Sequence, residues 1–222
     1  MSKVDKSNGT KRPALLPAGF KDQLPLSAAH ESSIVHSIIA RCESSGYDRV
    51  KPPLIEFEDS LLFGPGESMM DSTFRLMDPL SGRMMGIRAD MTVQVARIAS
   101  TRLRHIERPL RLCYSGEVLR VQPASLTPER ELVQVGAELV GPDNVVADLE
   151  VILLAFDALH QVGAKNMSID ISTPTLVPIV LQSMNIDMIN VPNLRGALDR
   201  KDITEVEKLG GVASGLLVNI ME

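Results

Sequence analysis

Apolar and polar positions alternate with a period of two in the middle of the chain and recur at helical spacing on either side of it. The alternation is cleanest from Val133 to Leu139. There Val133, Val135, Ala137 and Leu139 share one face, and Gln134, Gly136 and Glu138 share the other. Arg108–Gly141 therefore predicts two strands around a loop rich in Pro, Ser and Thr, with the first strand ending at Arg120. Ahead of it, Ile34, Val35, Ile38 and Ile39 predict a helix over Ser27–Ser45 that stops at Gly46. Asp90 reads as the N-cap of a helix over Met91–His105, with Val95, Ile98, Ala99 and Leu103 on its apolar face. After the strands, Asp143 or Asn144 caps a helix running through His160, striped by Leu149, Ile152, Phe156 and Leu159 and ended by Gly163. Asn166–Ser172 alternates and predicts a strand, and Pro174–Met184 predicts a helix. Short helices are expected from Pro192, with Gly210, Gly211 and Gly215 as loop material.

At 222 residues and a net charge of -5, the chain can bury a sizeable core and carries no basic excess of the kind that marks a nucleic-acid binder. Residues 1–14 are polar and read as a disordered tail before a domain over 15–222, with no secretory signal. No run reaches the length of a membrane span, and a cytoplasmic location is expected. Arg97, Arg102, Arg104, His105, Arg108 and Arg111 read as one basic cluster. It is either a solvated helix face or a contact for an anionic substrate or an acidic partner. Cys42 and Cys113 form no metal or redox spacing and read as packed thiols. His30, His36, His105 and His160 are scattered, so no metal site is expected. Asp148 and Glu150 lie on different helix faces and read as first-turn carboxylates favoured by the helix dipole. The glycines near the end match no phosphate loop.

The chemistry concentrates where Arg120 closes a strand beside the face that bears Gln134 and Glu138. A guanidinium, an amide and a carboxylate together suit a small zwitterionic or phosphorylated ligand. This stretch resembles motif 2 of class II aminoacyl-tRNA synthetases, most closely the histidyl type. Ile87-Arg88-Ala89-Asp90-Met91-Thr92 is similar to the Leu-Arg-Pro-Glu-Gly-Thr segment of those enzymes, whose acid and Thr bind the amino group. Leu16–Pro25 resembles their Pro-x-Gly-x-x-Asp-x-Leu-Pro opening, and Gly46–Glu56 resembles motif 1, which builds the family's dimer interface. The resemblance implies an α+β fold, a class II synthetase-like antiparallel sheet flanked by helices. It is expected to be incomplete at the C-terminal end, because motif 3, the histidine-specific segment and an anticodon domain would lie downstream. It also implies histidine binding by Asp90, Thr92, Gln134 and Glu138, and anion or carboxylate binding by Arg120. A ligand site and a capping role for Asp90 are compatible, since helix N-termini bind charged ligands.

The loop after Arg120 departs from the synthetase pattern. Where those enzymes place an adenine-reading Glu and further basic residues, this chain has Val121, Gln122 and Pro123, then Ala124-Ser125-Leu126-Thr127-Pro128. Charge-assisted contacts are worth about 1.5–3 kcal/mol each, so losing several removes most of the grip on a triphosphate. With Asp90-Met91-Thr92 and Ala197-Leu198-Asp199-Arg200-Lys201-Asp202, this departure makes the chain similar to the regulatory subunits of ATP phosphoribosyltransferase. That resemblance implies a protein without catalytic residues of its own, acting in histidine biosynthesis. It further implies a short-form catalytic subunit as partner, a homodimer through motif 1, histidine as effector, and neither tRNA, membrane, cofactor nor metal. A histidyl-tRNA synthetase fragment, activating histidine with ATP and charging tRNA, is the alternative. A synthetase-like interaction module without a small ligand is the third reading.

Overall fold

The computed structural model describes residues 16–62, 64–123, 128–171, 178, 179, 182 and 191–221. These fall in two compact units, within Met1–Lys165 and within Asn166–Glu222.

The first unit is organised by a hairpin. Strand β5 (Leu110–Leu119) and strand β6 (Glu131–Val140) pair antiparallel over their whole length, from Leu110↔Val140 to Leu119↔Glu131. Residues opposite each other in an antiparallel pair point to the same side, so this register sorts the side chains into two faces. Leu110, Leu112, Tyr114 and Val118 of β5, with Leu132 and Val140 of β6, pack against Met91, Val95 and Ala99 of helix α3 (Thr92–Thr101) and its entry. Cys113 of β5, with Val135 and Ala137 of β6, packs against Ile39 and Cys42 of helix α1 (Pro25–Ser44) and Leu154 of helix α4 (Val145–Gln161). The alternation of Val133–Leu139 is thus a sheet with helices on both faces, and Gln134, Gly136 and Glu138 lie on the α3 side. Each fully buried aliphatic side chain in these layers contributes about 1.5–3 kcal/mol.

Strand β1 (Asp48–Arg49) joins the hairpin parallel to β5 and completes a sheet of order β1-β5-β6. A second sheet, antiparallel and of order β2-β4-β3, comes from β2 (Ile55–Phe57), β3 (Phe74–Met77) and β4 (Met84–Ile87). A short helix α2 (Glu58–Leu61) and a 3-10 segment (Gly64–Ser72) connect β2 to β3. The two sheets are tied by Arg88, which is 3 % exposed. Its Nε donates to Glu117 O at 2.7 Å and its Nη1 to Pro52 O at 3.0 Å, and burial lowers its pKa.

Helix α1 starts two residues before the predicted Ser27, because Pro25 occupies its first turn, where a missing N–H costs nothing. It ends as predicted. Gly46 adopts φ +82°, its N–H bonds Glu43 O at 3.0 Å, and the Tyr47 N–H returns to Cys42 O at 3.1 Å. Helix α4 is capped by the Asn144 side chain, which accepts from the Ala147 N–H.

Other expectations are corrected. Helix α3 runs from Thr92 to Thr101 instead of Met91 to His105. Ser100 Oγ and Thr101 Oγ1 bond back to Arg97 O, and the Arg108 guanidinium takes the carbonyls of Ala99, Leu103 and Ile106, which terminates the helix. The capping position is Met91, in helical conformation, while Asp90 Oδ1 accepts from the Thr92 N–H at 2.7 Å in an Asx-type turn. Residues 166–171 form no strand, and Asn166 takes φ +53°. The predicted helix Pro174–Met184 lies largely outside the described residues, as do the tail 1–14 and the loop residues Ala124–Thr127.

The second unit holds helices α5 (Val191–Asp199), α6 (Ile203–Gly210) and α7 (Ser214–Met221) around Leu194, Ala197, Val206, Ala213 and Leu217. Asp202 caps α6 by accepting from the Glu205 N–H. Gly210 closes α6 and Gly215 sits inside α7, so these glycines are not loop. In the apolar run Leu216-Leu217-Val218, Leu217 is buried and Leu216 is exposed.

Candidate functional site

The α3 face of the hairpin brings together all of Asp90, Thr92, Gln134 and Glu138. Gln134 Nε2 donates to Asp90 Oδ2 at 2.9 Å, and Gln134 Oε1 accepts from the Met91 N–H at 2.8 Å. Asp90 and Thr92 stand at the entry of α3, and Gln134 and Glu138 are four residues apart on one face of β6, with Gly136 between them. The two halves meet because Met91 and Val95 bury their side chains under the hairpin.

Tyr114, which the sequence analysis did not single out, joins the remaining two. Its hydroxyl donates to Glu138 Oε1 at 3.0 Å and lies 3.1 Å from Thr92 Oγ1. Tyr114 stands opposite Gly136, and any Cβ there would fall inside the phenol ring, 2.8 Å from Cε2. Burial is the main cause that pushes the Tyr114 hydroxyl pKa well up, with the Glu138 carboxylate adding to it and the Thr92 bond opposing it. The signal was an aromatic facing a glycine, visible only after the hairpin register is counted.

A hydrogen-bond count shows what this array lacks. Among the described residues neither Asp90 nor Glu138 makes an ion pair. Glu138 Oε2 and the Thr92 hydroxyl keep acceptor capacity, and one Gln134 amide hydrogen is the single donor of these groups left over. Half-buried carboxylates without a counter-ion favour a ligand rich in N–H donors and positive charge.

Arg120 follows β5 directly. Its backbone N–H bonds Arg130 O at 2.8 Å, and its Nε reaches Ala89 O at 3.4 Å, beside Asp90. Arg130 is held at the other end of the loop over the rings of Phe20, at 5.3 Å, and Phe74, at 4.8 Å. Lys21 pairs with Glu129 at 2.9 Å. Beyond Arg120, Val121, Gln122 and Pro123 add no charged group.

The basic cluster does not exist as one surface. Arg97 pairs with Glu56, Arg111 with Glu150, Arg104 with His105, and Arg108 with backbone carbonyls. Glu150 correspondingly is not a free dipole partner. It accepts from Arg111 at 2.7 and 2.8 Å and from the Tyr47 hydroxyl at 3.0 Å, and the Arg111 bond holds its carboxyl below the usual range. Cys42 and Cys113 are free thiols, both buried. Among the described residues no group of three His, Cys, Asp or Glu is arranged to hold a metal, and no helix is long and apolar enough to cross a membrane.

Comparison with known proteins places these features in a family. A family profile described as histidyl-tRNA synthetase matches residues 19–217. The chain is 53% identical to the ATP phosphoribosyltransferase regulatory subunit of Rhodospirillum centenum, over 94% of this chain and 54% of that protein. It is 52% identical to that of Paramagnetospirillum magneticum, over 92% and 54%. The chain thus spans about half the length of the curated relatives it matches. A crystal structure titled as an ATP phosphoribosyltransferase regulatory subunit/histidyl-tRNA synthetase from Bacillus halodurans C superposes with a TM-score of 0.79 at 26% identity, over 99% of this chain and 56% of that one. Histidyl-tRNA synthetase from Nostoc sp. PCC 7120, at 19% identity and a TM-score of 0.71, covers 88% of this chain and 46% of its own, and shares the fold. The α+β, class II synthetase-like architecture expected from the motifs is the observed one.

Proposed function

The chain belongs to the histidyl-tRNA synthetase family, and from that premise we propose that it serves as a regulatory subunit of ATP phosphoribosyltransferase rather than as a tRNA-charging enzyme. The observation that carries this reading is the contrast between the two sides of the site. On the amino-acid side, Asp90, Thr92, Gln134 and Glu138 form one connected acceptor array that suits the ammonium and ring N–H of histidine. On the nucleotide side, Val121–Pro128 directly after Arg120 carry no charged group, and the charges at the far end of the loop are already engaged, Glu129 by Lys21 and Arg130 over Phe20 and Phe74. A site that keeps an amino acid and lets go of ATP senses histidine without activating it.

In this reading the protein forms a homodimer through the Gly46–Glu56 region and binds a short catalytic subunit. It accelerates phosphoribosyl transfer by favouring an active assembly, and it transmits histidine feedback. Arg120 receives the effector's carboxylate. Two assays on the intact protein test it. Histidine-dependent exchange of pyrophosphate into ATP should be absent, and robust exchange would assign the chain to the tRNA-charging reaction instead. Adding the protein to the isolated catalytic subunit should raise phosphoribosyl transfer from phosphoribosyl pyrophosphate to ATP, and an unchanged rate refutes the regulatory role. Glu138→Ala should weaken histidine binding by about 1.5–3 kcal/mol, the value of a charge-assisted hydrogen bond, as read by calorimetry.

A further inference from the structure

The Thr92–Tyr114–Glu138 chain has a direction set by proton count. A carboxylate offers lone pairs alone, so the Tyr114 hydroxyl donates to Glu138. That uses the single phenolic hydrogen. The contact with Thr92 is therefore made by the Thr92 hydroxyl donating to Tyr114, and Thr92 presents only lone pairs to anything that approaches it. Thr92 is exposed and Glu138 half-buried, whereas Tyr114 is 2 % exposed, so a ligand touches the first two and not the phenol.

Tyr114 cannot turn away from this position. It is wedged among Met91, Val95 and Val118, and it reaches Glu138 across its own cross-strand partner only because Gly136 has no side chain. Burial raises its pKa, so it stays a neutral donor across the whole physiological range. The charged groups around it are the carboxylates of Glu138 and Asp90, and both favour the protonated phenol.

We propose that Tyr114 is a positioning residue that sets the polarity of the site. By consuming the Thr92 proton and orienting Glu138, it makes both groups obligate acceptors, so the site takes ligands with N–H donors on both the amino group and the ring. This inference rests on the histidine reading above and names the residue that confers its selectivity. Ring isosteres without an N–H are refused because Glu138 would lose water and gain no donor.

Calorimetry on the intact protein with two ligands tests it: histidine, and 3-(2-thienyl)alanine, which keeps the ammonium and carboxylate but has no ring N–H. The wild type should prefer histidine. Tyr114→Phe should lower histidine affinity by about tenfold and thienylalanine affinity by clearly less, since both ligands lose the fixed polarity of Thr92 but only histidine also loses the ring contact that depends on Glu138's orientation. A second measurement does not depend on that variant's folding. In Tyr47→Phe, the tyrosine absorption band reports Tyr114 alone, and it should shift when histidine binds but not when thienylalanine is added. Affinities for both ligands that fall by the same factor, or that do not move, overturn the assignment of Tyr114, as does a band that ignores histidine. A wild type that binds neither ligand overturns the histidine reading itself, and this inference with it.

Discussion

Glu56 is the polar hinge between the Pro52-Pro53 segment and helix α3, and its removal should destabilise the first unit more than any single surface charge. The side chain of Glu56 is 8% exposed. Its carboxylate accepts from Gln94 Nε2 at 2.9 Å, from Arg97 Nε at 3.0 Å, and from Arg97 Nη2. Gln94, itself 1% exposed, would keep one bond, to Pro53 O at 2.8 Å, and its Oε1 already lacks a partner. Breaking a buried pair by deleting one partner costs about 3–5 kcal/mol. Arg97 is 28% exposed, so water re-solvates part of its charge and the lower end applies, about 3 kcal/mol for Glu56→Ala. For a unit ending at Lys165, that corresponds to a fall in Tm of roughly 6–12 °C. The chain has no Trp and two Tyr, Tyr47 and Tyr114, both in the first unit, so the near-ultraviolet tyrosine signal in urea or thermal melts reports this unit alone. The double variant Glu56→Leu/Arg97→Met should recover most of the loss, because neither charge is then left buried alone. A Glu56→Ala protein within about 0.5 kcal/mol of wild type would refute the argument, being the range of ordinary surface substitutions.

Alkaline titration probes the two tyrosines together. Burial, with the Glu150 bond adding to it, pushes Tyr47 up from 10.0 to about 12, and Tyr114 is raised as well. Their folded pKa values lie above the unfolded ones, so the associated stability is fully present below pH 10 and is lost as pH rises toward 12. The folded protein should show almost no tyrosinate absorbance at pH 10 while the urea-unfolded chain is half-ionised, and equal absorbance in the two states would contradict the burial argument. Burial raises the thiols too, Cys113 to about 11. Neither cysteine should react with an aromatic disulfide reagent at pH 8 until the protein unfolds, and fast labelling of the native protein would refute their packing.

The local grammar of this chain was legible in its order of residues. Gly46 after an apolar stripe gives a left-handed helix end, and Asn144 before Val145 gives a cap, because both devices act within one turn. The parity of Val133–Leu139 separates the face packed on α1 and α4 from the α3-side face of Gln134 and Glu138, because a strand's side chains can only alternate. The motifs around Asp90 and Arg120 likewise announced a family whose fold the chain adopts. Where local preference misled, the reason was also local. Asn166–Ile171 alternates like a strand but pairs with no strand among the described residues, and α3 stops at Thr101 because its own hydroxyls and Arg108 take the last carbonyls.

Pairing over long sequence separations belonged to the tertiary structure. Arg97, Arg108 and Arg111 belong to one short arginine-rich stretch of the sequence, but their partners are scattered. One meets Glu56, one caps a helix, and one grips Glu150, since a guanidinium goes to whichever acceptor the packing of helices and strands delivers. Tyr114 reads in the sequence as an ordinary strand aromatic. Only the register that sets it against Gly136, and the burial of Met91 that brings Thr92 beside it, turn it into the link between Thr92 and Glu138. The chain's own order marked Asp90, Thr92, Gln134 and Glu138 as the candidate ligand groups. Which of them share a proton was decided by the closing of the hairpin, because hydrogen bonds need contact to within about 3 Å and only the fold sets distances that fine.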